Sequence, residues 1–220
     1  MQKIFTFAAA AMILMASCQS APKADEAATT DEQQAASAEG TAYKIDSTQF
    51  VSFIGTKPVG QHHGNFNISE GQIFVQNGVE VKGGKLTLDI TSLKITDKDT
   101  NGVAKLSGHL ASADFFEVDK FPTATFEITD IKPFNADSSK PAIVLDGATH
   151  TVSGNLTMKG VTKNVTFPAI ITVTDNVATA QANFNINRTD WGLVYGNDKS
   201  LGDKFIRPEV NVSFSITANK

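Results

Sequence analysis

Cysteine, tryptophan and arginine are almost absent from this sequence of 220 residues, which has one Cys, one Trp and two Arg. Because Cys18 is the only thiol, no disulfide can form within the chain, and an apolar core must stabilise the folded part. The formal net charge is −4. Proteins that bind nucleic acid neutralise phosphates with many Lys and Arg, so this composition argues against nucleic acid as a partner.

Motifs typical of enzymes and metal sites are also absent. The sequence contains no G-x-S-x-G nucleophile elbow, no phosphate-binding loop and no G-x-G-x-x-G dinucleotide motif. Adjacent residues on a strand point to opposite faces, so the neighbours His62 and His63 form a poor chelating pair. We therefore predict a binding or structural protein with no catalytic residues, no metal site and no resident cofactor.

The N-terminus carries an apolar run, residues 4–15, that follows Lys3 and ends in small residues. This run is short for a membrane-spanning helix and is typical of a secretory signal. The ending LMASC resembles a bacterial lipobox, with Leu four residues before Cys18 instead of three. The resemblance implies a signal peptide over residues 1–17 and lipid on Cys18, and an ordinary secretory signal is the alternative. We expect a lipoprotein of the cell envelope, anchored to the outer membrane and facing the periplasm or the surface.

Residues 19–41 contain no aromatic and no branched aliphatic side chain. Such a composition cannot bury enough surface to offset the entropy of ordering, so it predicts a disordered tether over residues 18–41, lipidated Cys18 included. A flexible coil of this length would hold the next domain on the order of 25–30 Å from the membrane. Residues 42–220 are enough for one domain with a substantial core.

The folded part reads as short strands with alternating apolar and polar residues. Asn77-Gly78 predicts a tight hairpin turn, residues 69–71 (Ser-Glu-Gly) predict another, and residues 175–177 predict a third. Many antiparallel strands and a single helix indicate a sandwich or a closed barrel. Small residues on one wall favour a barrel that holds a ligand. These small residues are Gly154, Gly160, Ala178, Ala180 and Ala182.

Residues 106–126 combine a short helix, an aromatic pair and the start of a strand. Val103, Leu106 and Leu110 share one helical face, and residues 97–101 offer several N-cap side chains. Phe121-Pro122 cannot continue a helix, and a strand is predicted from residue 124. We interpret the region as a lid over the opening of a sheet, with an ordinary core helix as the alternative.

The segment from Asn187 to Leu193 holds Arg188 and the only tryptophan, Trp191. Arg188 could pair with Asp190, stack on Trp191, or contact an anionic group at a barrel mouth. All three interpretations are consistent with the residues.

Several ordered motifs resemble the YceI-like proteins. They are HLASADFFEVDKFPTATF, GNLTMKGVTKNVTF, INRTDWGL and the opening YKIDSTQFVSF. The resemblance extends from residue 43 to about residue 218. The resemblance implies an all-β, lipocalin-like, antiparallel extended β-barrel of about eight strands over residues 42–220, with one short helix near the barrel end. It also implies an apolar interior that binds a polyisoprenoid or a similar long lipid. The chain departs from the family pattern at Glu117, at Lys159 and in an insertion-like loop over residues 135–150.

The predicted function is a carrier lipoprotein that holds a polyisoprenoid or quinone-like lipid in its cavity. An envelope-stress, structural or interaction lipoprotein without lipid cargo is the alternative, and a homodimer is a further expectation. The predicted ligand-binding residues are Phe53, Phe66, Leu106, Leu110, Phe115, Phe116, Phe126, Phe184, Arg188 and Trp191.

Overall fold

The computed structural model of the protein describes residues 21–135 and 145–220. The predicted signal peptide, Cys18 and part of the insertion-like loop lie outside these residues. The strands are β1 (Asp25–Glu26), β2 (Ala28–Thr30), β3 (Thr41–Ile45), β4 (Phe50–Lys57), β5 (Gly60–Gln76), β6 (Glu80–Ile95), β7 (Thr123–Pro133), β8 (His150–Met158), β9 (Val161–Val173), β10 (Val177–Asn187) and β11 (Glu209–Asn219). Helix α1 spans Val103–Ala111, and two 3₁₀ helices span Arg188–Trp191 and Lys199–Lys204.

The sheet closes on itself as an antiparallel barrel. Strands β5 to β9 pair in sequence, β9 pairs with β10, and β10 pairs with β11. Strands β3 and β4 share one position, because each pairs with β11 on one side and β5 on the other. The wall therefore has eight positions, which confirms the predicted barrel and excludes the sandwich.

Two of the three predicted turns form. Asn77 and Gly78 adopt φ angles of 53° and 72° in the β5–β6 hairpin, the left-handed backbone that a tight turn requires. Residues 174–176 connect β9 to β10, with the N–H of Thr174 donating to the carbonyl of Val177. The turn predicted at residues 69–71 is wrong, because β5 continues through it. The pairing with β6 instead shifts register there, and this β-bulge accommodates the polar residues.

The two ends of the barrel differ in how they are closed. We call the end that carries α1 and residues 188–208 the helix end, and the opposite end the far end. At the far end, the hydroxyl of Tyr43 donates to the carbonyls of Thr174 and Asp175. A packed cluster closes this end. Its buried members are Tyr43, Val75, Val81, Ile128, Ala178 and Ala218.

Helix α1 begins without a side-chain cap. Its N-cap is Gly102, with a φ of 79° and no side-chain hydrogen bond, so the predicted cap within residues 97–101 is wrong. The candidate carboxylates are used elsewhere. Asp97 accepts hydrogen bonds from His62 and His63, and Asp99 accepts one from the N–H of Asn101.

Residues 21–40, which we call the strap, lie against the barrel wall. Strand β1 pairs with β10 and strand β2 pairs with β9. The N–H of Gln33 donates to Oδ1 of Asn155 at 3.0 Å, and that of Ala36 to the carbonyl of Ile128 at 2.9 Å. This differs from the disordered tether that the composition predicts. The strap is held by backbone pairing and by polar groups on the barrel, which a count of apolar residues does not detect.

The close approach of β7 and β8 depends on a glycine. A Cβ atom at Gly154 would lie 2.2 Å from Cζ of Phe126. We expect Gly154→Ala to lower the free energy of unfolding by about 1–3 kcal/mol, because the ring must leave its position. Urea denaturation of the two proteins measures the difference. Gly55→Ala is the matched control within a strand, since a Cβ atom there meets nothing within 4 Å. Equal losses for both variants would contradict this account.

Candidate ligand-binding cavity

The barrel encloses a cavity of about 530 Å³ with a predominantly apolar lining. The apolar lining results from the alternation of side chains along each strand, because every second side chain points into the barrel. Leu86, Leu88 and Ile90 of β6 line it as the sequence pattern predicts, and so do Ala124 and Phe126 of β7. Its volume lies within the range of about 300–1,000 Å³ that is typical of small-molecule sites.

All the predicted ligand-binding residues except Trp191 line this cavity. They are Phe53, Phe66, Leu106, Leu110, Phe115, Phe116, Phe126, Phe184 and Arg188. The lining does not include Trp191, which is fully buried among core side chains and donates from Nε1 to the carbonyl of Leu156 at 2.9 Å. A large aromatic ring with one N–H needs such an acceptor when it is buried.

Many other apolar residues of the lining were not among the predicted ligand-binding residues. They include Ile73, Val152, Ile171, Val210, Val212, Phe214 and Ile216. For β11, the alternation of apolar and polar residues indicated which side chains point inward, because its apolar residues all share one face. Of the small residues predicted on one wall, Ala178 and Ala180 line the cavity, whereas Ala182 is packed in the core.

Helix α1 and the residues after it form a lid at the helix end. Leu106 and Leu110 line the cavity, and no residue of α1 is fully buried, which favours a lid over an ordinary core helix. The ring of Phe116 meets the ring of Phe66 edge-on, with 5.2 Å between centroids. Nζ of Lys159 donates to the carbonyl of Ala113 at 2.8 Å and so ties the β8–β9 turn to the lid.

A buried arginine holds the chain between β10 and β11 in place. Only 4 % of Arg188 is exposed, and within the described ranges its guanidinium donates to backbone carbonyls. The acceptors are the carbonyls of Leu193, Tyr195, Ile206 and Arg207. Burial lowers the pKa of Arg188, and the negative charge of Glu209 opposes this shift.

These contacts exclude two of the three interpretations made for Arg188. In the described part of the chain, Arg188 makes no ion pair with Asp190, and the ring beneath its guanidinium belongs to Phe115, with 5.9 Å from Cζ to the centroid. Pairing with Asp190 and stacking on Trp191 are therefore wrong. Four carbonyls replace the carboxylate because the chain from Leu193 to Arg207 folds back around the guanidinium. Arg188 still lines the cavity, so a contact with an anionic group stays a prediction.

Polar and charged side chains gather where the cavity reaches the helix end. Among the residues that line the cavity there are Lys57, His62, His109, Tyr195, Asp203 and Lys204. The ring of His109 lies edge-on to that of Tyr195, with 4.7 Å between centroids, and Tyr195 is 45 % exposed. The cavity is therefore amphipathic, with an apolar interior and a polar mouth at the helix end.

A histidine at this mouth is held by a carboxylate. Oδ2 of Asp97 lies 2.7 Å from Nδ1 of His62, and Oδ1 accepts from the N–H of His63, also at 2.7 Å. Burial would raise the pKa of Asp97, but the hydrogen bonds from His62 and His63 outweigh it, so the pKa is lowered. The carboxylate thus fixes the orientation of the His62 ring.

Residues 21–135 and 145–220 contain no group of three His, Cys, Asp or Glu side chains that could hold a metal ion. Within the same ranges, no helix has both the length and the apolar character needed to cross a membrane.

Comparison with known sequences gives a consistent set of relatives. The sequence pattern of the YceI-like domain matches residues 43–218. A UPF0312 protein of Yersinia enterocolitica is 34% identical over 169 residues, which cover 72% of this chain and 79% of the relative. A UPF0312 protein of Pseudomonas aeruginosa is 37% identical over 132 residues, or 58% of this chain and 60% of the relative. The matched region thus spans about three fifths of the length of the Pseudomonas relative.

Solved structures share the fold. Burkholderia cenocepacia BcnA superposes with a TM-score of 0.60 at 22% identity, over 79% of this chain and 99% of that one. A polyisoprenoid-binding domain from Saccharophagus degradans, implicated in plant cell wall breakdown, superposes with a TM-score of 0.56 at 18% identity. The match covers 80% of this chain and 97% of that one. A Campylobacter jejuni YceI protein superposes with a TM-score of 0.52 at 23% identity, over 71% of this chain and 84% of that one. At these identities the likeness establishes a common barrel fold.

The carbonyl contacts of Arg188 predict a stability effect that is independent of Asp190. We expect Arg188→Lys to lower the free energy of unfolding by about 2–4 kcal/mol, because one ammonium cannot reach all four buried carbonyls. Thermal and urea denaturation measure the loss. Asp190→Asn is the control and should change stability little. A larger loss for Asp190→Asn than for Arg188→Lys would restore the ion-pair interpretation.

The lowered pKa of Asp97 predicts an acid-dependent stability. The ionised carboxylate stabilises the fold above its unfolded-state pKa of about 3.9, and this contribution is lost as the pH falls through the lower folded-state pKa. We therefore expect Asp97→Asn to be less stable than the parent protein by about 1–2 kcal/mol at pH 7, and the gap to close in acid below pH of about 4. Urea denaturation at several pH values measures the gap, and a gap that does not vary with pH would contradict this assignment.

Proposed function

The chain belongs to the YceI-like family, and on that premise we propose that it is a binding protein that holds a long-chain isoprenoid lipid inside its barrel. The observation that carries this proposal is the apolar cavity of about 530 Å³. The name of the Saccharophagus degradans neighbour, a polyisoprenoid-binding domain, supports the choice of ligand class.

The energetics of the cavity favour an apolar occupant. Cavities with apolar walls offer water few hydrogen-bond partners. Transfer of a hydrocarbon chain from water into such a space contributes about 0.8 kcal/mol per CH₂ group. The lining extends from Lys204 at the helix end to Ala218 at the far end, so it follows the length of the barrel. This elongated shape suits a chain better than a compact ligand.

The polarity of the mouth favours one direction for the lipid. In the proposed complex, the head group lies at the helix end, beside Lys57, His62 and Lys204, and the chain runs toward the packed cluster at the far end. Arg188 already donates to four carbonyls and contributes mainly the positive charge near the mouth. The rings of His109, Phe115 and Tyr195 lie together there, which also suits a flat quinone head group.

The proposed setting is the cell envelope, with the protein anchored to the outer membrane through lipid on Cys18. The carbonyl of Pro22 accepts a hydrogen bond from Nδ2 of Asn185 at 3.2 Å, so the strap is already attached to the barrel at that point. Four residues of extended chain span at most about 14 Å. An anchor at Cys18 would therefore hold the barrel closer to the membrane than the tether predicted from composition.

The lid provides a direct test of lipid binding. We expect Phe116→Asp to weaken the binding of geranylgeraniol at least tenfold, because it places a carboxylate in the apolar lining. Calorimetric titration measures the affinity, and circular dichroism confirms that the fold is kept. Phe50→Asp is the matched control, since Phe50 is 48 % exposed and lies outside the lining. Unchanged affinity in a folded Phe116→Asp protein would contradict the proposed site.

A further inference from the structure

The barrel wall is interrupted between β9 and β10. These strands pair only between residues 170–173 and 178–181. Toward the helix end each keeps a single barrel partner, β8 for β9 and β11 for β10. No direct pairing joins residues 161–169 to residues 182–187 in the part of the chain that the structure describes. We call this gap in the wall the seam.

The strap fills the seam with a short strand. Asp25 and Glu26 pair in parallel with Phe184 and Asn185 of β10, and residues 28–30 pair antiparallel with residues 164–166 of β9. Between them, the N–H of Ala27 donates to the carbonyl of Asn185 at 2.9 Å. A strand inserted between two antiparallel neighbours must be parallel to one and antiparallel to the other. Residues 25–30 thus act as one inserted strand.

The seam lies directly over the cavity. The rings of Phe167 and Phe184 stack on its inner side, with 4.0 Å between centroids and 9° between planes. Both residues line the cavity, and Val165 of the seam does so too. Ala27 of the strap packs against the core cluster that contains both rings. The inserted strand and one layer of side chains therefore separate the cavity from the outside.

The inserted strand has few backbone partners in the wall. It pairs through two residues on one side and three on the other, whereas β10 and β11 pair over the whole of β10. By contrast, a packed cluster closes the far end of the barrel. The chain around Arg188 is held by four hydrogen bonds from the guanidinium. Short segments with few ladder bonds open at lower free energy than continuous ladders.

We propose that the seam is a lateral portal for the lipid chain and that residues 25–30 are the displaceable strand that closes it. This inference rests on the proposed function and adds a route to it. A long flexible chain can enter sideways through the seam without being threaded past the lid. An anchor at Cys18 would also place the membrane beside the start of the strap, so the portal would face the source of the lipid.

Loosening the inserted strand tests the portal in one direction. Ala27→Pro removes the N–H that bonds Asn185 at the seam. Gln33→Pro is the matched control, because it removes one strap N–H where the strap crosses β8, which is paired on both sides. The probe is dansyl-labelled geranylgeraniol, transferred from phosphatidylcholine vesicles and followed by stopped-flow fluorescence. We expect Ala27→Pro to accelerate uptake and release about tenfold with little change in Kd, and Gln33→Pro to behave as the parent.

Locking the strand tests it in the other direction. Ala28 and Thr166 are direct antiparallel partners, and the Cα separation of about 4.5–5.5 Å in such pairs permits a disulfide. In a full chain with Cys18→Ser, the double variant A28C/T166C can be compared oxidised and reduced. We expect oxidation to slow uptake and release by the same factor, tenfold or more, and reduction to restore both rates. Equal rates in the two states would overturn the portal and assign entry to the mouth at the helix end.

Failure of the proposed function gives a different result. In that case no form of the protein binds the probe, and the seam is tested by chemistry that needs no lipid. Ala180 lines the cavity, so Ala180→Cys in the Cys18→Ser chain places a thiol inside the barrel. Faster maleimide labelling with Ala27→Pro than with Gln33→Pro would support an opening seam. Equal labelling rates would overturn it.

Discussion

The central constraint on this molecule is an apolar interior that its own side chains do not fill. Closing eight strand positions into a barrel satisfies the backbone hydrogen bonds of the wall and turns one face of every strand inward. The inward residues are nearly all apolar, yet they leave a cavity of about 530 Å³. The lid, the cluster at the far end and the inserted strand all cover this volume.

Closure at the helix end depends on one unusual group. Arg188 is buried beside an apolar cavity, and backbone carbonyls from Leu193 to Arg207 surround its guanidinium. A buried cation is costly unless its donors are satisfied, and here every nitrogen of the guanidinium donates to a carbonyl. The same contacts fix the chain that carries Tyr195 and Lys204, which places polar groups at the mouth. One side chain thus holds the loop and positions the polar end of the cavity.

Much of the barrel could be predicted from the sequence, because alternation is a local pattern that decides which face is buried. The inner faces of β6, β7 and β11 followed from it directly, and the Asn77-Gly78 dipeptide predicted the turn between β5 and β6. Features that depend on distant partners could not be predicted in this way. The N–H of Trp191 can be buried because the distant carbonyl of Leu156 accepts it. The order of the strap depends on Asn155 and Asn185, more than a hundred residues away along the chain.

Native mass spectrometry of the full chain with Cys18→Ser, isolated from a bacterial host and followed by organic extraction, tests the central claim most directly. The account predicts a discrete additional mass that extracts as a polyisoprenoid or as a quinone with an isoprenoid chain. A protein that has only its own mass, and keeps it after incubation with polyprenols, would contradict the claim. The cavity would then be a feature of the fold without a lipid cargo.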